Sequence, residues 1–240
     1  MIGQSKRSTN NKQPYIIEMA GVAGAGKSTL LKAMKQKNNK IQTVHLPLKI
    51  FYLPFLIKVI CTWLPLYLKD YRHSRWFTLQ EIRDMGYLET WISFIRSQAQ
   101  TKENIVVIDP GSVYWLSSLQ EYGPEITKHP RFQRWWKNRF EQWSSALDVI
   151  IWIDAPEEMC LQRVLSRNEW HEIKYISAKS ALEQLSGFRK AYERIIPEMA
   201  SQHPIKVFSF RSDQISTEEM VNRIGSEIDL MGNKTSLPVS

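Results

Sequence analysis

Short apolar runs alternate along the chain with longer amphipathic ones. Residues 15–20 (YIIEMA), 104–109 (NIVVID) and 148–154 (DVIIWID) are apolar almost without interruption, the pattern of parallel strands covered on both faces. Two weaker runs, 41–46 and 205–210, make a set of five. The segments between them have helical character. Residues 78–100 open on a capping box, Thr78-x-x-Glu81, and residues 217–229 on another, Ser216-x-x-Glu219. Pro156-Glu157 reads as a further helix start, capped by Asp154. Phe132, Trp135, Trp136, Phe140 and Trp143 are interleaved with basic residues, yet they recur at three to four residues. They therefore form one core-facing stripe rather than a surface for stacking bases. Strands alternating with helices predict an α/β chain of three layers, with a central parallel five-stranded sheet.

One stretch departs from this rhythm. Residues 50–68 (IFYLPFLIKVICTWLPLYL) carry a single charge, Lys58, and their mean hydropathy of roughly 1.8 reaches the range of membrane-spanning helices. Pro54, Pro65 and Lys58 disfavour a span. Topology excludes one, because the strands before and after would lie on opposite sides of the bilayer and could not share a sheet. An apolar helical insertion at about 47–75 is expected instead. Three placements are open to it: packed as a helix pair over the site, lying at a membrane surface beside Lys69, Arg72 and Arg75, or meeting a partner chain.

The chemistry begins where the first strand ends. Gly21-Val22-Ala23-Gly24-Ala25-Gly26-Lys27-Ser28 satisfies G-x-x-x-x-G-K-[ST], and Thr29 leads into a segment of helix-forming composition. Glycines let backbone N–H groups turn inward around a phosphate without side-chain clash, and a helix N-terminus adds partial positive charge. Gly21 through Thr29 are thus the expected nucleotide-binding residues, with Lys27 reaching the β- and γ-phosphates and Ser28 ligating Mg²⁺. ATP and Mg²⁺ are the expected cofactors. Asp109 closes its strand at the edge where parallel α/β sheets place ligands. There it would hold Mg²⁺ through water, as a metal residue, or accept the proton of an acceptor hydroxyl.

The form Gly-x-x-Gly-x-Gly-Lys-Ser-Thr resembles the loop of P-loop nucleoside and nucleotide kinases, above all thymidylate kinase-like and deoxynucleoside kinase-like proteins. Asp154-Ala-Pro-Glu157, followed by Arg163 and Arg167, resembles the strand end, helix start and arginine lid of that superfamily. Phe188-Arg-Lys-Ala-Tyr192-Glu-Arg and residues 210–219 are similar to its post-lid helix and adenine-facing loop. The resemblance implies a P-loop NTPase fold with a lid at about 163–175, and an ATP- and Mg²⁺-dependent phosphotransferase. Its acceptor would be small, a nucleoside or nucleotide first. Arg163 and Arg167 would close over the transferring group beside Lys27 and Asp109 as the catalytic set, with Lys174 as a third lid cation. Two departures bear on the acceptor. Asp109 is followed by Pro110-Gly111 where those kinases carry arginine, and 44–49 (VHLPLK) holds no carboxylate. Arg83 and Asp84, with Arg96 behind them, are the candidate substitutes, set against a reading of their helix as a solvated face.

Composition narrows the partners. The 32 basic and 24 acidic residues give a net charge of +8, which suits anionic ligands. A phosphate loop, a lid and the basic flank of 50–68 account for it, so nucleic acid is not an expected partner. Two cysteines and five scattered histidines exclude a disulfide scaffold and a zinc site. A cytoplasmic protein fits, with a peripheral place at a membrane left open through 50–68. A homodimer is compatible with these features. Residues 1–13 are expected to be a disordered leader, 14–231 the kinase-like domain and 232–240 a disordered tail. A second class stays beside the kinase: a nucleotide-binding ATPase or switch working through a protein or membrane partner.

Overall fold

The computed structural model describes residues 15–43, 53–99 and 105–234. Five strands, β1 (Tyr15–Ala20), β2 (Ile41–Thr43), β3 (Ile105–Ile108), β4 (Val149–Asp154) and β5 (Lys206–Arg211), run parallel in the order β2-β3-β1-β4-β5. Central β1 is buried from Ile16 to Ala20, which requires a helix layer on each face. Its register fixes the site. Ile17 lies between Val107 and Val149, and Glu18 between Ile108 and Ile150. Asp109, next after Ile108, therefore stands level with Met19, just before the loop begins at Gly21. This is the expected three-layer P-loop NTPase fold. Of the expected strand 41–46, residues 44–46 lie outside the described residues, as do the leader 1–13 and the segment 44–49.

Helix α1 (Lys27–Lys37) packs on α8 (Thr217–Lys234), while α3 (Leu79–Ala99), α4 (Ser112–Tyr122), α5 (Pro130–Ser144) and α7 (Ala178–Gln202) pack on one another. The capping box of α3 is reciprocal: Thr78 N–H donates to Glu81 Oε2 at 2.7 Å and Glu81 N–H to Thr78 Oγ1 at 3.2 Å. At α8 only half forms. Ser216 Oγ accepts the Glu219 N–H at 3.2 Å, while the Glu219 carboxylate turns to Arg223. Helix α8 runs to Lys234, and residues 235–240 of the expected tail lie outside the described residues.

The aromatic stripe of α5 is core. Phe132, Phe140 and Trp143 are buried, and Trp135 and Trp136 are half-buried against them. The indole N–H groups of Trp136 and Trp143 donate to Leu116 O on α4 and Leu88 O on α3, each at 3.1 Å. Among its described residues, the stretch 50–68 gives one α-helix, α2 (Leu53–Leu66), rather than a pair. Pro54 stands in the first turn, where its N–H would be spare, whereas Pro65 lies inside the helix and leaves the Cys61 carbonyl without its i+4 donor. A π-helical turn, Tyr67–Tyr71, follows directly. No helix among the described residues is long and apolar enough to cross a membrane.

Candidate active site

All three glycines of the loop are favoured by torsion, and two of them are required by space as well. Gly21, Gly24 and Gly26 have φ of +145°, +83° and +110°. A Cβ at Gly21 would stand 2.4 Å from Ile153 O, and one at Gly24 2.2 Å from Cys160 O. The loop thus passes against β4 and helix α6 (Glu157–Leu165) with no room for a side chain. Helix α1 opens directly from it with no side-chain cap, so the positive end of that helix serves the loop. Lys27 folds back across it, its Nζ donating to Gly21 O at 2.7 Å and Val22 O at 3.2 Å. Ser28 and Thr29 are exposed on the first turn.

Asp109 is half-buried at the end of β3. Burial raises its pKa and Lys27 pulls it down. Burial lowers the pKa of Lys27, and Asp109 raises it. An acid and a base from neighbouring strand ends are thereby brought together at the mouth of the loop.

Sequence reasoning missed Glu18, although a lone charge inside YIIEMA was a signal. It is fully buried and accepts hydrogen bonds from Ser112 Oγ at 2.6 Å and Val113 N–H at 2.7 Å. Gly111, the first boundary residue of α4, offers no side-chain cap. Glu18 supplies the missing acceptor from another strand, and a Cβ at Gly111 would approach its Cδ to 2.5 Å. It therefore anchors the turn that carries Asp109. Burial pushes its carboxyl up from 4.5 to about 7, against the pull of the Ser112 and Val113 hydrogen bonds. A raised carboxyl favours folding in its protonated form, so its contribution is full below pH 4.5 and is lost as pH rises through about 7. Glu18→Gln can keep both hydrogen bonds without ionising. In chemical denaturation the parent should lose up to about 3 kcal/mol relative to this variant between pH 5 and pH 8. Parallel pH profiles would remove Glu18 from this account.

The lid residues take unequal places. Arg163 Nη1 donates to Gly24 O at 3.2 Å and Ser212 Oγ at 3.1 Å, so it braces the outside of the loop. Arg167 is exposed, its charge lowers the pKa of Lys27, and its carbonyl accepts from Lys174 Nζ. Asp154 is not the helix cap expected of it. Pro156 occupies the boundary of α6 with no side-chain cap, and Asp154 instead pairs with Arg189 of α7. Arg189 Nη1 also lies 3.0 Å from the Glu157 carboxylate, tying α7 to α6 and β4.

The first half of α3 is not a solvated face. Glu81 and Asp84 are buried and Arg83 half-buried, while Arg96 is exposed. Glu81 is held by Arg75 as well as by its cap, with Nη1 and Nη2 at 2.9 and 2.7 Å. Asp84 accepts from Gln80 Nε2 at 2.8 Å, but its Oδ2 is buried without a partner. Burial raises this carboxyl to about 7. Its charge acts on the Tyr114 phenol, and Tyr192 feels Tyr114, Glu18 and Asp109 in turn. Asp84 on α3, Tyr114 on α4 and Tyr192 on α7 are thus coupled through their charges.

A parallel sheet of this order, with a glycine loop between β1 and α1 and an acid ending the neighbouring strand, is the fold of P-loop kinases. Among solved structures, deoxyadenosine kinase from M. mycoides with bound dATP matches with TM-score 0.53 at 15% identity, covering 90% of this chain and 99% of that one. The same enzyme with bound dCTP matches with TM-score 0.51 at 15% identity, covering 89% and 98%. With products dCMP and a flexible dCDP, the values are 0.53, 14%, 89% and 98%. At such identity the likeness is one of fold. No family model matches the sequence, and no curated protein matches it.

Proposed function

We propose that the protein is an ATP-dependent phosphotransferase whose acceptor is a deoxynucleoside or a molecule of similar size. The observation that supports this reading is a glycine loop over which Lys27 folds back, beside the strand that Asp109 ends. The residues fit a nucleotide triphosphate: three glycines at positive φ make the cradle, and Lys27 and Arg167 supply charge. They also fit Mg²⁺, which takes one or two protein oxygens and leaves the rest to phosphate and water. Ser28 Oγ and the Asp109 carboxylate would be those oxygens. When bound, Mg²⁺ would neutralise charge on the β- and γ-phosphate oxygens. Lys27 would exchange its loop carbonyls for phosphate oxygens. Asp109 would orient the acceptor hydroxyl or receive its proton, and Arg167 would swing over the transferring group with the segment that bears it.

The deoxyadenosine kinase structures hold deoxynucleotides, which supports a nucleoside as acceptor. Asp84 supports one that presents a hydrogen-bond donor, because a buried Oδ2 without a partner is costly unless a ligand supplies one. The test is ADP release measured with a panel of deoxynucleosides, nucleotides and sugars. Stimulation by a nucleoside with an amino group on its base is expected. In the Asp84→Asn variant, kcat/KM for that acceptor should fall about 10- to 100-fold, mainly through KM, with ATP kinetics unchanged. Stimulation by no small acceptor, but by a protein or by lipid, would favour the ATPase or switch reading instead.

A further inference from the structure

Helix α2 has two apolar faces, and the fold uses one. Val59 and Trp63 turn inward and are buried. The Trp63 ring lies 5.1 Å from Phe132 and 6.1 Å from Trp135, and Lys58 ties the helix to Glu89 of α3 at 2.7 Å. On the outer side Ile57, Ile60, Leu64 and Leu68 are 53%, 37%, 37% and 58% exposed. They recur at steps of three and four, so they make one stripe. Pro54, Cys61 and Pro65 are exposed on the same helix. Scattered exposed apolar residues are ordinary on a protein surface, whereas these stand together in one row, three on α2 and Leu68 on the π-helical turn that continues it.

Size and charge identify what covers it. A helix of 14 residues is about 21 Å long, and a stripe about 10 Å wide on it offers about 200 Å². A stable protein interface takes about 800 Å² from each partner, so the stripe alone is too small to hold a second chain. A lipid surface sets no such minimum, because side chains enter it one by one. Charge favours the same occupant. Of the cations between Leu53 and Arg75, Lys58 is paired with Glu89 and Arg75 with Glu81, while Lys69 and Arg72 are exposed just beyond the C-terminal end of the stripe, beside a single acid, Asp70. Long cations on the shoulder of an apolar helix lay their stems along the acyl boundary and their charges among anionic headgroups.

We propose that α2 docks the protein onto anionic lipid, lying in the plane of the membrane surface. The proposal needs neither the phosphotransferase reading nor its acceptor. The two cysteines provide the probe, since Cys61 is exposed on α2 and Cys160 is buried. A thiol-reactive, environment-sensitive fluorophore will therefore label Cys61 in the folded chain. With vesicles of phosphatidylcholine and phosphatidylglycerol, its emission should shift to the blue, and the unlabelled protein should float with them. Added salt should weaken the binding. Ile57→Ser combined with Leu64→Ser should weaken it at least about tenfold, while circular dichroism and melting stay unchanged because both residues are exposed. Absence of flotation and shift on anionic vesicles would overturn the proposal. So would flotation undiminished in the double variant, or a shift that needs no lipid and tracks protein concentration together with a dimer mass in light scattering.

Discussion

Lys27→Ala is expected to abolish the proposed phosphoryl transfer while leaving the fold intact, the largest effect expected from any single substitution. The Lys27 ammonium is held inside the loop by Gly21 O and Val22 O, so it already occupies the hollow that the phosphates would enter. Burial draws its pKa down against the pull of the Asp109 carboxylate, and a bound triphosphate would favour the charged form. A preorganised charge at a transferring phosphoryl group is worth several orders of magnitude in rate. Turnover in the acceptor-stimulated ADP assay should fall by about 10³-fold or more. Stability should change by only about 1 kcal/mol, the worth of the lost hydrogen bonds, since alanine suits the first turn of α1. The check is turnover measured beside thermal unfolding of the same preparation. Activity within about tenfold of the parent would sink the mechanism.

What the sequence made legible were the features whose causes are local. Gly21, Gly24 and Gly26 stand out because all three have positive φ, and the first two are also pressed against β4 and α6. The central strands are legible because burial on both faces needs an unbroken apolar run. The α3 capping box forms because Thr78 and Glu81 are one turn apart. Where the cause lies far away in the chain, the pattern was mute or misleading. Glu18 meets Ser112, 94 residues on, and nothing near it hints at that partner. Glu81 and Asp84 read as a wet face, but α2, α4 and α5 pack around α3 and bury them. Asp154 stands one residue before Ala155-Pro156 and looked like a cap, until Arg189 of α7 arrived to take it. The prolines of α2 argued for a broken segment; Pro54 falls in a first turn that tolerates it, and just after Pro65 the α-helix gives way to a π-helical turn.

These nonlocal contacts gather on one side of the loop. Glu18 fixes the start of α4, α4 and α7 carry Tyr114 and Tyr192, and Arg189 holds α7 to β4. The proposed phosphate side is set by backbone close to the sequence motif, while the proposed acceptor side draws on four separated segments, which is why it became visible only in three dimensions.

Asp109→Asn is the substitution that separates the two sides. Asparagine keeps the size of the side chain and removes its charge. Burial raises the Asp109 carboxyl against the pull of Lys27, so at neutral pH the charged form costs the folded state some stability. The variant should therefore melt at or above the temperature of the parent. Its turnover should nevertheless fall by about 10²- to 10³-fold, because an amide neither draws in a cation nor accepts a proton at the strand end beside the loop. The concentration of Mg²⁺ needed for half-maximal rate should rise, while nucleotide binding without metal stays near that of the parent, since Lys27 and the loop amides are untouched. Turnover against Mg²⁺ concentration, with melting curves at the same pH, makes the comparison. A variant that loses activity and stability together, with an unchanged Mg²⁺ requirement, would make Asp109 a structural residue of the turn that Glu18 anchors.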